Sequence, residues 1–268
     1  MKIFLRIILI IAIILSLVGI GFVGYGFYKK ATVNYPNPLA TMVIKDYGEV
    51  KIELYPDKAP NTVANFIRLA NRGFYNGLTF HRTIPDFMIQ GGDKTGLGSG
   101  SPSLSNIQDN VAEDKEYAIK GEFIANGYTK NNLKHKKGVI SMARSDYSQM
   151  GKVEEGYNSA GSQFFIMTKD NTSLDGIYAA FGEVKSGMDI IEKIEKVDVT
   201  YRSSELKEGE EAPKDKDGNA LQADKPKKDV VIESLSVETY GVDYGIPETM
   251  DVFDYYSWLM MQYGMSVQ

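Results

Sequence analysis

Short runs of alternating polarity, punctuated by turn residues, recur along most of this chain, and that rhythm restricts it to an antiparallel β fold. Residues 40–45 (ATMVIK) and 49–55 (EVKIELY) alternate apolar with polar side chains and are split by Asp46, Tyr47 and Gly48, the signature of a β-hairpin. Further strands are predicted over 79–84, 139–143, 163–168 and 179–184, with a closing strand over 230–238. Only two stretches within this region have helical spacing. Pro60 opens one over 61–71, with Val63, Phe66, Ile67 and Ala70 on a single face; the other covers 188–196. Many short strands with two helices imply a mainly β domain closed into an antiparallel barrel.

The N-terminus obeys different physics. Lys2 and Arg6 precede a charge-free, mostly apolar run from 7 to 28, ended by Lys29 and Lys30. At 1.5 Å rise per residue, about 20 residues cross a bilayer core, so the run predicts one transmembrane helix. Tyr25, Phe27 and Tyr28 stand where an interfacial aromatic belt would lie. A cleaved signal peptide would have an apolar region of roughly 7–15 residues and a small-x-small site after it, and this run fits neither. Positive charge on both flanks leaves orientation weakly determined. A short basic tail before a single helix is the pattern of a signal anchor, which places the globular part outside the cell membrane. The expected organisation is an anchor over 1–30, a linker over 31–38, a globular domain over 39–240 and a C-terminal tail over 241–268 with a helix of its own.

Composition narrows the chemistry. A net charge of −5 gives no electrostatic reason to expect nucleic acid. With no cysteine there is no disulfide, thiolate nucleophile, cysteine zinc site or lipid-bearing thiol. Only His81 and His135 are available as imidazoles, so no histidine-rich metal centre is expected. His81 reads as a structural hydrogen-bonding residue and His135, in a lysine-rich loop, as a solvated one. The glycine-rich stretch 95–101 lacks the Gly-Lys-Ser/Thr ending of a phosphate cradle. Segments 96–137, 146–159 and 200–229, rich in Gly, Ser, Asn and charge, read as long surface loops. The tail over 248–263, with Phe253, Tyr255, Trp258 and Leu259, reads either as packing against the domain or as contacting a membrane or partner.

Several segments are unusual for plain strands. Residues 80–93 read FHRTIPDFMIQGGD, with an arginine among apolar positions and two glycines permitting close backbone approach. Residues 159–168 read SAGSQFFIMT and residues 174–184 read LDGIYAAFGEV. Together with GVISMARS (138–145), KAPNTVANF (58–66) and KGEF (120–123), these segments resemble, in order, the signature blocks of the cyclophilin family of peptidyl-prolyl cis/trans isomerases. The resemblance runs from about residue 41 to 238. It implies an eight-stranded antiparallel barrel capped by two helices, and an enzyme that turns X-Pro bonds in exported or newly folding chains.

Residue by residue, the resemblance implies that Arg82 is the catalytic arginine. It implies that Phe87, Met88, Phe165 and Leu174 line a proline pocket, and that Gln90 and Gln163 hold the substrate backbone. Ala143 and Arg144 stand where an Ala-Asn pair usually pairs with the bound peptide. Three positions depart from well-known members. Ser173 replaces a Trp that contacts cyclosporin, so weak cyclosporin binding is expected. Tyr178 replaces a pocket-lining His, with activity expected to be retained. Arg144 adds a positive charge that would favour acidic flanking residues. The implied partners are proline-containing polypeptides. The rival reading is a non-catalytic module that holds such peptides in the same groove.

Overall fold

The computed structural model describes residues 15–19, 21, 35–207 and 209–263. The chain divides into two units, Met1–Pro36 and Asn37–Gln268. In the first, residues 15–19 and 21 are helical and exposed; most of the predicted membrane segment lies outside the described residues. Among the described residues, no helix is long and apolar enough to cross a membrane.

The second unit is built on strands β1 (Leu39–Ile44), β2 (Gly48–Leu54), β3 (Phe80–Ile84), β4 (Met88–Gly91), β5 (Tyr117–Ala118), β6 (Val139–Met142), β7 (Phe164–Met167), β8 (Ala180–Ser186), β9 (Ile232–Glu238) and β10 (Met250–Asp251). Its helices are α1 (Pro60–Asn71), α2 (Val153–Tyr157), α3 (Met188–Ile194) and α4 (Tyr255–Gln262). Eight strands form one antiparallel sheet in the order β3-β4-β7-β6-β8-β2-β1-β9. The sheet curls into an antiparallel half-barrel. At the start of β3, Thr79 and Val231 form an antiparallel bridge and the Phe80 amide donates to the Val230 carbonyl at 2.9 Å.

The curled sheet encloses the main apolar core. The face of α1 read from the sequence is the one it buries: Val63, Phe66, Ile67 and Ala70 are all at most 7% exposed. Phe66 meets Phe181 at 5.1 Å, Tyr75 at 5.3 Å and Phe164 at 5.8 Å between ring centroids. This aromatic cluster is where the apolar inner faces of α1, β7 and β8 leave water together.

The three segments read as surface loops are more structured than that. Within 96–137, Ile107, Tyr117, Ile119 and Phe123 are buried, and the Tyr117 hydroxyl donates to Asn65 Oδ1 at 2.6 Å. Segment 146–159 contains α2, and Asp224 of 200–229 is buried. Their polar composition conceals isolated apolar anchors that periodicity cannot detect. The tail runs back along α1: Glu248 and Asn61 exchange backbone–amide hydrogen bonds at 2.9 and 2.7 Å. It then pairs β10 with β5 and sets the Phe253 ring 5.1 Å from Tyr147, before the predicted helix appears as α4.

Candidate functional site

Strand alternation assigns the site residues to the sheet's other face. Phe164 and Ile166 of β7 join the main core, whereas Phe165 and Met167 turn to a second, smaller apolar cluster with Met88, Val139 and Ala180. Register then lines up a row across four strands: Arg82 is opposite Gln90, Gln90 opposite Phe165, and Phe165 opposite Ser141. The turn at Pro85 and Asp86 (φ +55°) returns the chain so that Phe87 and Met88 flank the same row. Gly92 (φ +85°) is required beside it, because a Cβ there would sit 2.6 Å from the Ser162 carbonyl oxygen.

Arg82, Phe87, Met88, Gln90, Ala143, Arg144, Phe165, Leu174 and Tyr178 surround one cavity of about 200 Å³. That is smaller than the roughly 300–1,000 Å³ usual for cofactor-sized ligands, and it suits a single ring with its backbone. Every site residue expected from the sequence lies here except Gln163. That residue lines an adjoining, more polar cavity with Gln90, Ala143, Arg144 and the serines 99, 101, 145, 159 and 162. Gln163 accepts from Gln90 Nε2 at 3.0 Å and donates to the carbonyls of Gly98 and Gly100 at 3.1 Å. It therefore braces the wall between the cavities.

The two arginines differ in freedom. Arg82 is half-buried, and its guanidinium makes no hydrogen bond or ion pair with another described residue. Arg144 donates from Nε to Ile177 O and from Nη1 to Ser145 O, each at 3.0 Å. Its guanidinium also lies 4.6, 5.0 and 5.8 Å from the ring centroids of Tyr178, Tyr157 and Phe123. One cation is held rigidly; the other keeps its donors available.

His135, read as solvated, is buried behind the cavity floor. Its Nδ1 lies 3.2 Å from Asp175 Oδ1 and its Nε2 3.1 Å from Ser141 Oγ. Burial pulls the imidazole pKa below its ordinary value, against the opposite pull of Asp175. His81 is buried too, and neither ring nitrogen meets a hydrogen-bond partner at full geometry among the described residues. Burial lowers its pKa as well, against the nearby Asp93 carboxylate. The Asp93 carboxyl, raised by burial, is held below its usual range overall by hydrogen bonds from Thr95 and Gly98. Among the described residues, no group of three or more His, Cys, Asp or Glu side chains could hold a metal ion.

Residues 39–237 match the model of the family described as cyclophilin type peptidyl-prolyl cis-trans isomerase/CLD. The chain belongs to this family. Its activity is accordingly that of a peptidyl-prolyl cis-trans isomerase. The cyclophilin domain is 39% identical over 157 residues to peptidyl-prolyl cis-trans isomerase B of Bacillus subtilis, covering 59% of this chain and 90% of that one. It is 41% identical over 159 residues to peptidyl-prolyl cis-trans isomerase-like 1 of Aspergillus fumigatus, covering 58% and 83%. Among solved structures, a Cryptosporidium parvum cyclophilin type isomerase, crystallised in the presence of the dipeptide Ala-Pro, superposes with a TM-score of 0.53. It is 27% identical, over 75% of this chain and 99% of that one. The match to the family ends before the tail, and β10 and α4 lie beyond it.

Proposed function

We propose that the Arg82 cavity accelerates rotation about X-Pro bonds by arginine-assisted twisting of the amide. The observation that carries this is the convergence of nine residues on one small cavity, with an unengaged guanidinium among apolar walls. Rotation about a peptide bond faces a barrier of about 18–20 kcal/mol, and an unaided X-Pro bond takes tens to hundreds of seconds. No bond is made or broken, so neither a nucleophile nor a cofactor is required. Twisting removes amide resonance and frees the nitrogen lone pair. A fixed guanidinium donor lowers the energy of that state most in a partly dry cavity. Phe87, Met88, Phe165 and Leu174 hold the proline ring, while Gln90, Ala143 and Arg144 hold the neighbouring backbone, so that binding favours the twisted geometry over either planar one.

The substrates in this reading are exported, newly folding polypeptides, met by a domain tethered outside the cell membrane through residues 1–30. The bridge between Thr79 and Val231 supports the closed barrel expected from the sequence.

The test follows cis–trans exchange of a short X-Pro peptide by NMR with the full chain and its Arg82→Ala variant. Fast exchange that is lost by orders of magnitude in a folded variant supports the reading. Exchange unchanged in folded Arg82→Ala removes it. Peptide binding with no acceleration by the unaltered chain favours the non-catalytic module instead.

A further inference from the structure

β3, which carries Arg82, stands at the end of the sheet order, with β4 on one side and, among the described residues, no full strand on the other. Such an edge leaves backbone donors and acceptors without partners and lets the strand shift. Here the segment between α3 and β9 covers it. The amide that links Arg82 to Thr83 donates its N–H to Asp224 O at 2.9 Å. The next carbonyl, Thr83 O, accepts from Arg202 Nη1. Asp224 and Arg202 are themselves fixed. Asp224 lies in the left-handed region (φ +57°), its amide donates to Tyr201 O at 2.8 Å, and its buried carboxylate accepts from Ser203 Oγ at 2.6 Å. That carboxylate lies 3.7 Å from Arg202 Nη1, and Arg202 Nη2 donates to Val197 O at 3.3 Å. Two adjoining peptide groups of the Arg82 strand are thus gripped by one Asp–Arg pair, Asp224 buried and Arg202 half-buried, that lies outside the substrate cavity.

We propose that Arg202 and Asp224 are positioning residues for the isomerase reaction, acting through Thr83 to fix where the Arg82 guanidinium stands. The inference rests on the reading of Arg82 given above. Its physical basis is that twisting an amide offers a donor little tolerance. A misplacement of about 1 Å can cost up to about 100-fold in rate. The proline-holding residues sit on β4 and in the turn just before it, on β7 and in the 174–178 turn, none of which Arg202 or Asp224 is seen to hydrogen-bond among the described residues. Releasing the grip should therefore reduce turnover and leave substrate affinity in place.

The experiment uses the full chain carrying Arg202→Met, which keeps the side chain's bulk and removes its donors. Its companion, Asp224→Asn, keeps a residue that tolerates positive φ and removes the charge. Lys214→Ala, elsewhere in the same segment, is the control. For a short X-Pro peptide, Arg202→Met should lower kcat by about tenfold or more with KM within about twofold. It should move the Arg82 Nε–H signal in ¹⁵N NMR spectra and add no further loss in an Arg82→Ala background. An unchanged kcat, with or without a lower melting temperature, overturns the proposal and leaves the segment as an edge cover. Should Arg202→Met fail to fold, Asp224→Asn decides by the same kcat and NMR readings. The two levels separate cleanly. An active Arg82→Ala variant removes the reading of Arg82, whereas an inactive Arg82→Ala beside a fully active Arg202→Met removes only the positioning role.

Discussion

His135 lies nearly parallel to Phe165, with ring centroids 6.1 Å apart and planes inclined by 18°. Phe165 in turn meets Tyr178 edge-on at 5.5 Å. The apolar floor of the Arg82 cavity is therefore supported from behind by a buried imidazole, which Asp175 and Ser141 hold in orientation.

This arrangement gives stability a defined pH dependence. The folded state lowers the pKa of His135, and that of His81, below the ordinary value of about 6.5. Below that pH the unfolded chain takes up protons that the folded one rejects. Stability should be flat above about pH 7 and fall as pH drops through about 6.5, at no more than about 1.4 kcal/mol per pH unit for each imidazole. It should level off below the folded values. A second decline should follow at lower pH, as Asp93 and Asp175, both held below the usual carboxyl range, take up protons. Urea unfolding at several pH values, repeated with His135→Gln, tests this. Equal stability at pH 7.5 and 5 would refute it.

Arg144 contributes a cation at the junction of the two cavities, and among the described residues no carboxylate lines either one. Peptides with acidic residues flanking the X-Pro bond should turn over roughly two- to fivefold faster than basic ones, as expected for a partly exposed charge pair. Arg144→Asn should abolish the difference, and high salt should reduce it. Equal rates on both peptides in the unaltered protein would eliminate this preference.

The tail is fastened by β10 against β5, by Asn61 and Glu248, and by Phe253 on Tyr147. Its helix α4 has no buried residue. Deleting 249–268 should lower the melting temperature, by about 2–4 °C for each kcal/mol lost, while kcat/KM on a short peptide stays within about twofold. A large loss of activity at unchanged stability would instead make the tail part of the substrate groove.

Ser173 is exposed in a short turn and donates its hydroxyl to Asn171 Oδ1 at 2.6 Å, so no indole stands at that rim of the cavity. Cyclosporin should inhibit weakly, and an inhibition constant in the nanomolar range would contradict this.

Much of the fold was legible because its elements are regular. α1 could be read because Val63, Phe66, Ile67 and Ala70 repeat at helical spacing, and β1 and β2 because their alternation is nearly unbroken. β4 escaped: MIQG has no alternation, and Gly91–Gly92 reads as a break. β5 and β10 are two residues each, too short for any period to register. His135 was misread because its neighbours Lys134, Lys136 and Lys137 are polar. Its burial comes from Phe165, Asp175 and Ser141, of which only Ser141 is near in sequence.

By itself the sequence determined the residue types and the order of the blocks, and through them the strand pattern, the family and all nine residues around the Arg82 cavity. These are local or ordered signals, carried by spacing along one chain. Only the tertiary structure decided that Gln163 braces a wall, that Arg144 is held between aromatic rings and two carbonyls while Arg82 is left unengaged, and that a charged loop grips the Arg82 strand. Each of those depends on which distant backbone group satisfies a given donor or acceptor. That choice is made when the sheet curls and water is excluded, and no periodicity in the chain records it.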